Sequence, residues 1–185
     1  MSAPRRDIPD VVTRVQLDAS DPAVSAWVSA NAGSGKTHVL AQRVIRLLLD
    51  GVDPAAILCI TFTKAAAANM AKRVYDTLAA WTALDDDALD TEIRKTSRRA
   101  PDAILRATAR RLFARALETP GGLKVQTIHA FCTRVLHQFP FEANVAGHFQ
   151  VLEETAANVF VTESQRAVLS RAAADLQSPL GQALV

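Results

Sequence analysis

Nine residues, 29–37 (SANAGSGKT), combine the side-chain types and the spacing that bind a phosphate chain. They follow the apolar run Ala26, Trp27, Val28 and open the helical apolar pattern Val39, Leu40, Val44, Leu47, Leu48. That order predicts a strand, a glycine turn and a helix. In such a turn successive backbone N–H groups wrap the β-phosphate, and the helix start adds the positive end of its dipole. Lys36 is expected to reach the β- and γ-phosphates and the Thr37 hydroxyl to ligate Mg²⁺, which makes ATP with Mg²⁺ the expected ligand. The loop comprises Ala30, Asn31, Ala32, Gly33, Ser34, Gly35, Lys36 and Thr37, and His38 follows it. Ala30 stands where the GxxxxGK[ST] pattern has its first glycine. Gln16, upstream of the loop, carries an amide that can donate to and accept from an adenine edge at once; its plain alternative is an exposed polar residue.

Elements must hold these residues in place. Asp50 and Gly51 end the helix after the loop, and Pro54 blocks its continuation. Residues 57–60 (ILCI) form an unbroken apolar run, as suits a parallel strand covered on both faces. The run leads into Thr61, Phe62 and Thr63 and then an alanine-rich helix with Ala66, Met70, Val74 and Leu78 on one stripe. Strand ends of this kind are where α/β sheets bind ligands. Two hydroxyls and a helix start suit a phosphate, and Phe62 suits a stacked base. Equally open at this point is that Thr61 and Thr63 cap the helix while Phe62 is core.

Residues 81–99 turn from acidic (Asp85, Asp86, Asp87, Asp90) to basic (Arg94, Lys95, Arg98, Arg99). Without a preceding strand to fix them, the aspartates read as a solvated helix start or loop rather than a metal site. A helix from 101 to 118 places Ile104, Leu105, Leu112 and Ala116 on one half and Arg106, Arg110, Arg111 and Arg115 on the other. That arginine face is solvent surface by default and the best local candidate for a phosphate-backbone contact. After the turn at Pro120, Gly121 and Gly122, residues 123–127 (LKVQT) predict another strand, which enters a helix bearing His129, Val135 and Leu136. His129 repeats the placement of Thr63 as a polar residue at a strand end. Residues 149–152 predict a short strand and residues 154–176 a long helix.

Composition narrows the class. An apolar fraction of 49% in 185 residues is enough for a sizeable core, and the net charge of +2 with pI near 8.7 leaves any basic surface local. Cys59 and Cys132 both fall in apolar segments, which predicts thiols of a reducing cytoplasm rather than a disulfide. No run approaches a membrane span and no signal segment is evident, so a cytoplasmic location is expected. Residues 1–14, with Pro4 and Pro9, read as a flexible leader.

Four ordered segments carry a resemblance: Gln16, the loop 30–37, TFTKAAAANM at 61–70 and TIHAFC at 127–132. In order and spacing they resemble the UvrD/Rep-type superfamily 1 DNA helicases. Within that group they look most like the N-terminal part of the AddA/RecB-type helicase–nuclease subunits of double-strand break repair. TIHAFC in place of the TFHG of simpler helicases, VSANAGSGKTHVL and LETPGGLKVQTIHAFC point to the AddA side. The resemblance covers about residues 16–155. It implies an α/β fold of the P-loop NTPase, RecA-like kind: a parallel sheet with flanking helices, an incomplete first motor domain over 15–152, and a helical insertion at about 79–119. Residues 153–185 would then begin a further helical subdomain.

The resemblance also implies roles. Gln16 would read adenine; Lys36 and Thr37 would hold phosphates and Mg²⁺; Thr61, Phe62, Thr63, Thr127 and His129 would line a single-stranded DNA track. Movement would run 3′ to 5′, with an AddB-like nuclease or helicase protein for a partner. His38 departs from the arginine that relatives often carry after the loop, and Asn69 from their usual glutamate. Hydrolysis needs a carboxylate pair at a strand end. The one candidate, Glu153 and Glu154, reads as a helix start, so the chain is expected to be an inactive N-terminal fragment that binds ATP and DNA. The alternative class is a non-catalytic nucleic-acid or partner-binding module on a P-loop scaffold.

Overall fold

The computed structural model describes residues 9–29, 31, 33 and 35–183. Two compact units follow one another, the first ending at Phe131 and the second beginning at Cys132. The first unit opens with α1 (Asp10–Ala19), which starts inside the stretch read as a leader, and α2 (Lys36–Leu49). A 3₁₀ turn (Pro54–Ala56) leads to β1 (Leu58–Thr61), α3 (Lys64–Ala83), α4 (Asp86–Ser97), α5 (Ala103–Glu118), β2 (Lys124–Thr127) and the start of α6 (Ile128–Gln138). The second unit contains the rest of α6, then α7 (Glu154–Ala174) and α8 (Pro179–Gln182).

The core lies among four helices. From α3 the positions 67, 70, 74, 78 and 81 are buried, a stripe stepping by three and four residues as a 3.6-residue period requires. It meets Val44, Ile45, Leu48 and Leu49 of α2, Leu89 and Ile93 of α4, and Leu105, Ala109, Leu112 and Ala116 of α5. Leu78, wholly buried, gains roughly 1.5–3 kcal/mol from leaving water. Trp81 sits at the same depth, 1% exposed. The helix ends obey local rules: Asp53, Thr63, Asp85 and Asp102 each cap with a side-chain oxygen, and Gly51 turns the chain after α2 at φ 88°.

β1 and β2 form a two-stranded parallel sheet in the register Leu58 to Lys124 through Thr61 to Thr127. The long crossover through α3, α4 and α5 is what a parallel pair requires. Two expected strands do not form. Residues 26–28 have no ladder partner among the described residues, and Trp27 is 94% exposed. An extended segment becomes a strand only through pairing, and the hydropathy of Ala26, Trp27 and Val28 supplies no partner. Residues 149–152 are likewise irregular; Phe149 instead sets its carbonyl 3.1 Å from Nε2 of His137 and its ring edge-on to the imidazole.

The stretch expected as an insertion is helical, and several of its charges pair within it. Arg106 bonds Asp90 at 3.0 and 3.1 Å, and Arg110 bonds Asp86 at 2.7 Å and the Leu84 carbonyl at 3.0 Å. Asp85 caps α4 through the Ala88 amide at 2.8 Å. Of the two expected forms, helix start or loop, the acidic run is the helix start: it caps α4 and pairs α4 to α5. Two of the four arginines suggested for a nucleic acid are already held by carboxylates. In the second unit Gly181 is buried against the backbone of Asp175 and Leu176, where a Cβ would collide, so α8 folds tightly onto the end of α7.

Candidate nucleotide site and strand-end motifs

Within the glycine loop, Ala30, Ala32 and Ser34 lie outside the described residues; Asn31, Gly33, Gly35, Lys36, Thr37 and His38 are described. Gly33 and Gly35 have φ of 80° and 91°. This left-handed backbone suits glycine, which carries no Cβ to oppose it. Gly35 is the N-cap of α2, and no side chain among the described residues caps that end. The first N–H groups of α2 have no carbonyl one turn back within the helix, so they are the donors an anion would meet. Lys36 is the first residue of α2 and donates from Nζ to the Asn31 carbonyl at 2.5 Å. Thr37 follows, exposed, so its hydroxyl is within reach of a ligand at that end.

The structure brings Gln16 to this loop. A Cβ built on Gly35 would lie 2.8 Å from Gln16 Nε2, so the amide rests directly against a loop glycine whose φ already disfavours a side chain. Gln16 also lines a cavity of about 330 Å³ shared with His38 and Gln42 of α2, Arg73 and Thr77 of α3, and Lys95 of α4. Gln42 Oε1 is buried there without a hydrogen-bond partner among the described residues, an acceptor that a donor-bearing ligand would satisfy. Desolvation, and then the neighbouring Arg73 charge, hold the His38 imidazole below its ordinary value and favour its neutral form. A second hollow, about 440 Å³, runs beneath residues 25–28 and is lined by Ala26, Val28, Lys36, Val39, Leu40 and Arg43. The residues present therefore fit a nucleotide: an uncapped helix start, a glycine cradle with an amide against it, and an orphaned acceptor nearby. Gln42 and Arg73 were not singled out in the sequence, because a polar residue inside an apolar helical stripe reads as its solvent side.

At the strand ends the capping reading of Thr61, Phe62 and Thr63 holds in part. Thr63 Oγ1 accepts from the Ala66 amide at 3.1 Å and caps α3, while Thr61 Oγ1 donates to the Thr63 carbonyl at 3.1 Å. Phe62 is not core: it stands 89% exposed. Thr127 lies opposite Thr61 in the ladder and accepts from the Ala130 amide at 3.1 Å. The residue that repeats Thr63 is therefore Thr127, and His129 is the exposed second residue of α6. Glu153 is the N-cap of α7 and Glu154 its first residue, so the acidic pair begins a helix and ends no strand. No group of three or more His, Cys, Asp or Glu able to hold a metal ion occurs among the described residues, and Cys59 and Cys132 are free thiols. No helix among the described residues is long and apolar enough to cross a membrane.

The chain has clear relatives among ATP-dependent helicase/nuclease A-subunits. It is 36% identical over 140 residues to that of Desulforudis audaxviator, covering 74% of this chain and 10% of that protein. The corresponding protein of Pelotomaculum thermopropionicum is 33% identical over 163 residues, 86% of this chain and 11% of its own. That of Latilactobacillus sakei is 32% identical over 136 residues, 74% and 13%. The chain thus spans about a tenth of the length of the curated relatives it matches. The family model of the UvrD/REP helicase N-terminal domain matches residues 13–182, nearly the whole chain. With Gln16 against its glycine loop and its two motif threonines level at the end of a parallel pair, the chain belongs to the UvrD/REP helicase N-terminal domain family.

Proposed function

We propose that this chain is the nucleotide- and DNA-binding part of an ATP-dependent DNA helicase of the AddA type, acting in double-strand break repair. The observation that carries the reading is the meeting of Gln16 with Gly35, which puts a base-reading amide beside a phosphate-binding helix start. In this reading the first unit is a RecA-like P-loop domain with α4 and α5 as its insertion. The α2 N–H groups and Lys36 hold the phosphates, Thr37 supplies a hydroxyl to Mg²⁺, and Gln16 fixes the adenine. The unpartnered Gln42 oxygen is placed to accept from an amino group on the base, and neutral His38 adds no charge beside Arg73. Magnesium bound there would spread the charge of the phosphates.

Thr61, Phe62, Thr63, Thr127 and His129 form the single-strand track in this reading. Exposed Phe62 stacks a base, while Thr63, two residues past β1, and Thr127, the last residue of β2, set the helix starts beside the backbone. Travel is 3′ to 5′, and the partners are DNA and an AddB-like protein. Because Glu153 and Glu154 begin a helix, this chain supplies binding rather than hydrolysis. The test is titration of the full chain with a fluorescent ATP analogue and Mg²⁺. Lys36→Ala is expected to weaken binding at least about tenfold, the scale of a lost charged hydrogen bond. Equal affinity in the two proteins would sink the reading, and turnover of ATP abolished by Lys36→Ala would return Glu153 and Glu154 to catalysis.

A module that binds nucleic acid and uses the loop only as scaffold is the second reading, favoured by the exposure of Phe62. Its sign is salt-sensitive single-strand binding that ignores Lys36→Ala and falls with Phe62→Ala and His129→Ala.

A further inference from the structure

α1 carries Gln16, yet none of its residues is fully buried, and Val11 and Val15 stand 73% and 61% exposed. With its apolar side chains half-buried or exposed, α1 depends on its polar ties. The least exposed of them come from α2, the helix whose first residue is Lys36. Arg46 donates from Nη1 to the Leu17 carbonyl at 2.7 Å and to Ser20 Oγ at 2.9 Å, and its Nη2 lies 3.5 Å from Asp21 Oδ1. Its side chain is only 11% exposed, and Ser20 is fully buried. Ser20 in turn donates its hydroxyl to Leu17 and its amide to the Gln16 carbonyl, at 2.9 and 3.0 Å. One turn earlier on α2, Arg43 holds the carbonyls of Asp21 and Val24, at 2.5 and 2.7 Å. From α4 a weaker, exposed tie joins Arg98 to Asp18 at 2.7 Å.

Resting on the nucleotide reading above, we propose that Arg46 is a positioning residue that sets Gln16 against the phosphate loop. α2 then presents its amides to the phosphates at one end and, nearly three turns along, fixes the base-reading helix through Arg46. A guanidinium suits this task, since its planar fork meets Leu17 O and Ser20 Oγ from a single nitrogen while the other faces Asp21. Lysine offers one point charge and no fork.

The experiment compares ATP with inorganic tripolyphosphate, both with Mg²⁺, on the full chain and its Arg46→Met, Arg46→Lys, Gln16→Ala and double Gln16→Ala, Arg46→Met variants. Tripolyphosphate has no base and is blind to Gln16. Arg46→Met is expected to lose about tenfold in ATP affinity, one hydrogen-bonded contact's worth, with tripolyphosphate unchanged. Gln16→Ala should lose as much, the double variant no more, and Arg46→Lys should recover part. Equal weakening of both ligands, or losses that multiply in the double variant, would overturn the positioning role. If Arg46→Met does not fold, Ser20→Ala carries the test: it removes one acceptor, and about a threefold loss confined to ATP is expected. A loss shared by both ligands in that variant overturns the role. Wild-type protein that holds neither ligand more tightly than Lys36→Ala overturns the nucleotide reading and the role together, whereas sound ATP binding with the wrong variant pattern overturns the role alone.

Discussion

Gly35 concentrates the demands on the phosphate loop: a φ of 91° and a neighbouring amide that a methyl group would meet at 2.8 Å. Gly35→Ala is expected to cost about 1 kcal/mol or more in backbone strain and to displace Gln16, seen as a lower Tm together with weaker ATP binding. A second pair of variants separates roles at one strand end. Thr63→Ala removes a cap and is expected to cost about 1 kcal/mol in urea unfolding. Phe62→Ala, at a side chain 89% exposed, should leave unfolding unchanged and weaken single-stranded DNA by about 1–3 kcal/mol. Equal unfolding curves for Thr63→Ala and wild type would count against the cap. The glycines and the cap at Thr63 were legible in the sequence, because φ and capping depend on residue type. The cap at Thr127 is equally local, but the sequence reading puts His129 in its place; the orphaned Gln42 was not legible, because it depends on which chain segments arrive around it.

The helices could be read from their apolar period, since a stripe at 3.6 residues has to find a core. α3 and α5 bear this out, although Ile104, placed on the apolar half of α5, is 77% exposed and Ala109 takes its place inside. α4, by contrast, expected only as a solvated helix start or loop, buries Leu89 and Ile93. Strand 26–28 failed for the complementary reason: pairing is a property of two segments. The α4–α5 staple yields a pH prediction. The hydrogen bond from Arg110, against an opposing desolvation and helped by the charges of Arg110 and Arg106, holds the Asp86 carboxyl below its ordinary 3.8. A carboxylate whose folded pKa is depressed stabilises above its unfolded value, and that stability is lost as pH falls through the folded one. The Tm gap between wild type and Asp86→Asn should therefore be present at neutral pH and close in acid below 3.8. Because Asp86 is open to solvent the gap is small, and a gap that widens in acid would refute the assignment. Arg106→Gln should lower Tm and leave DNA affinity unchanged, since Arg106 is committed to Asp90.

Across the first unit, four helices enclose the core and the two-stranded sheet lies at its margin, with Leu58 and Ile60 of β1 41% and 46% exposed. Parallel strands are ordinarily covered on both faces, and bare edges invite pairing with another chain. Sedimentation velocity is expected to show self-association that grows with concentration, and a monomer at every concentration would contradict this. The α/β class and the family were legible because four motifs kept their order; the sheet's extent was not, since neighbours rather than residues decide it. The two tryptophans divide this unit in a usable way: Trp27 is 94% exposed beside Ala26 and Val28, which line the hollow next to Lys36, while Trp81 is 1% exposed in the core. Their fluorescence should separate into a red, iodide-quenched emission and a blue, shielded one. A Trp27→Phe protein would then report melting alone, and a Trp81→Phe protein would report a ligand's arrival, giving two optical channels from unlabelled material.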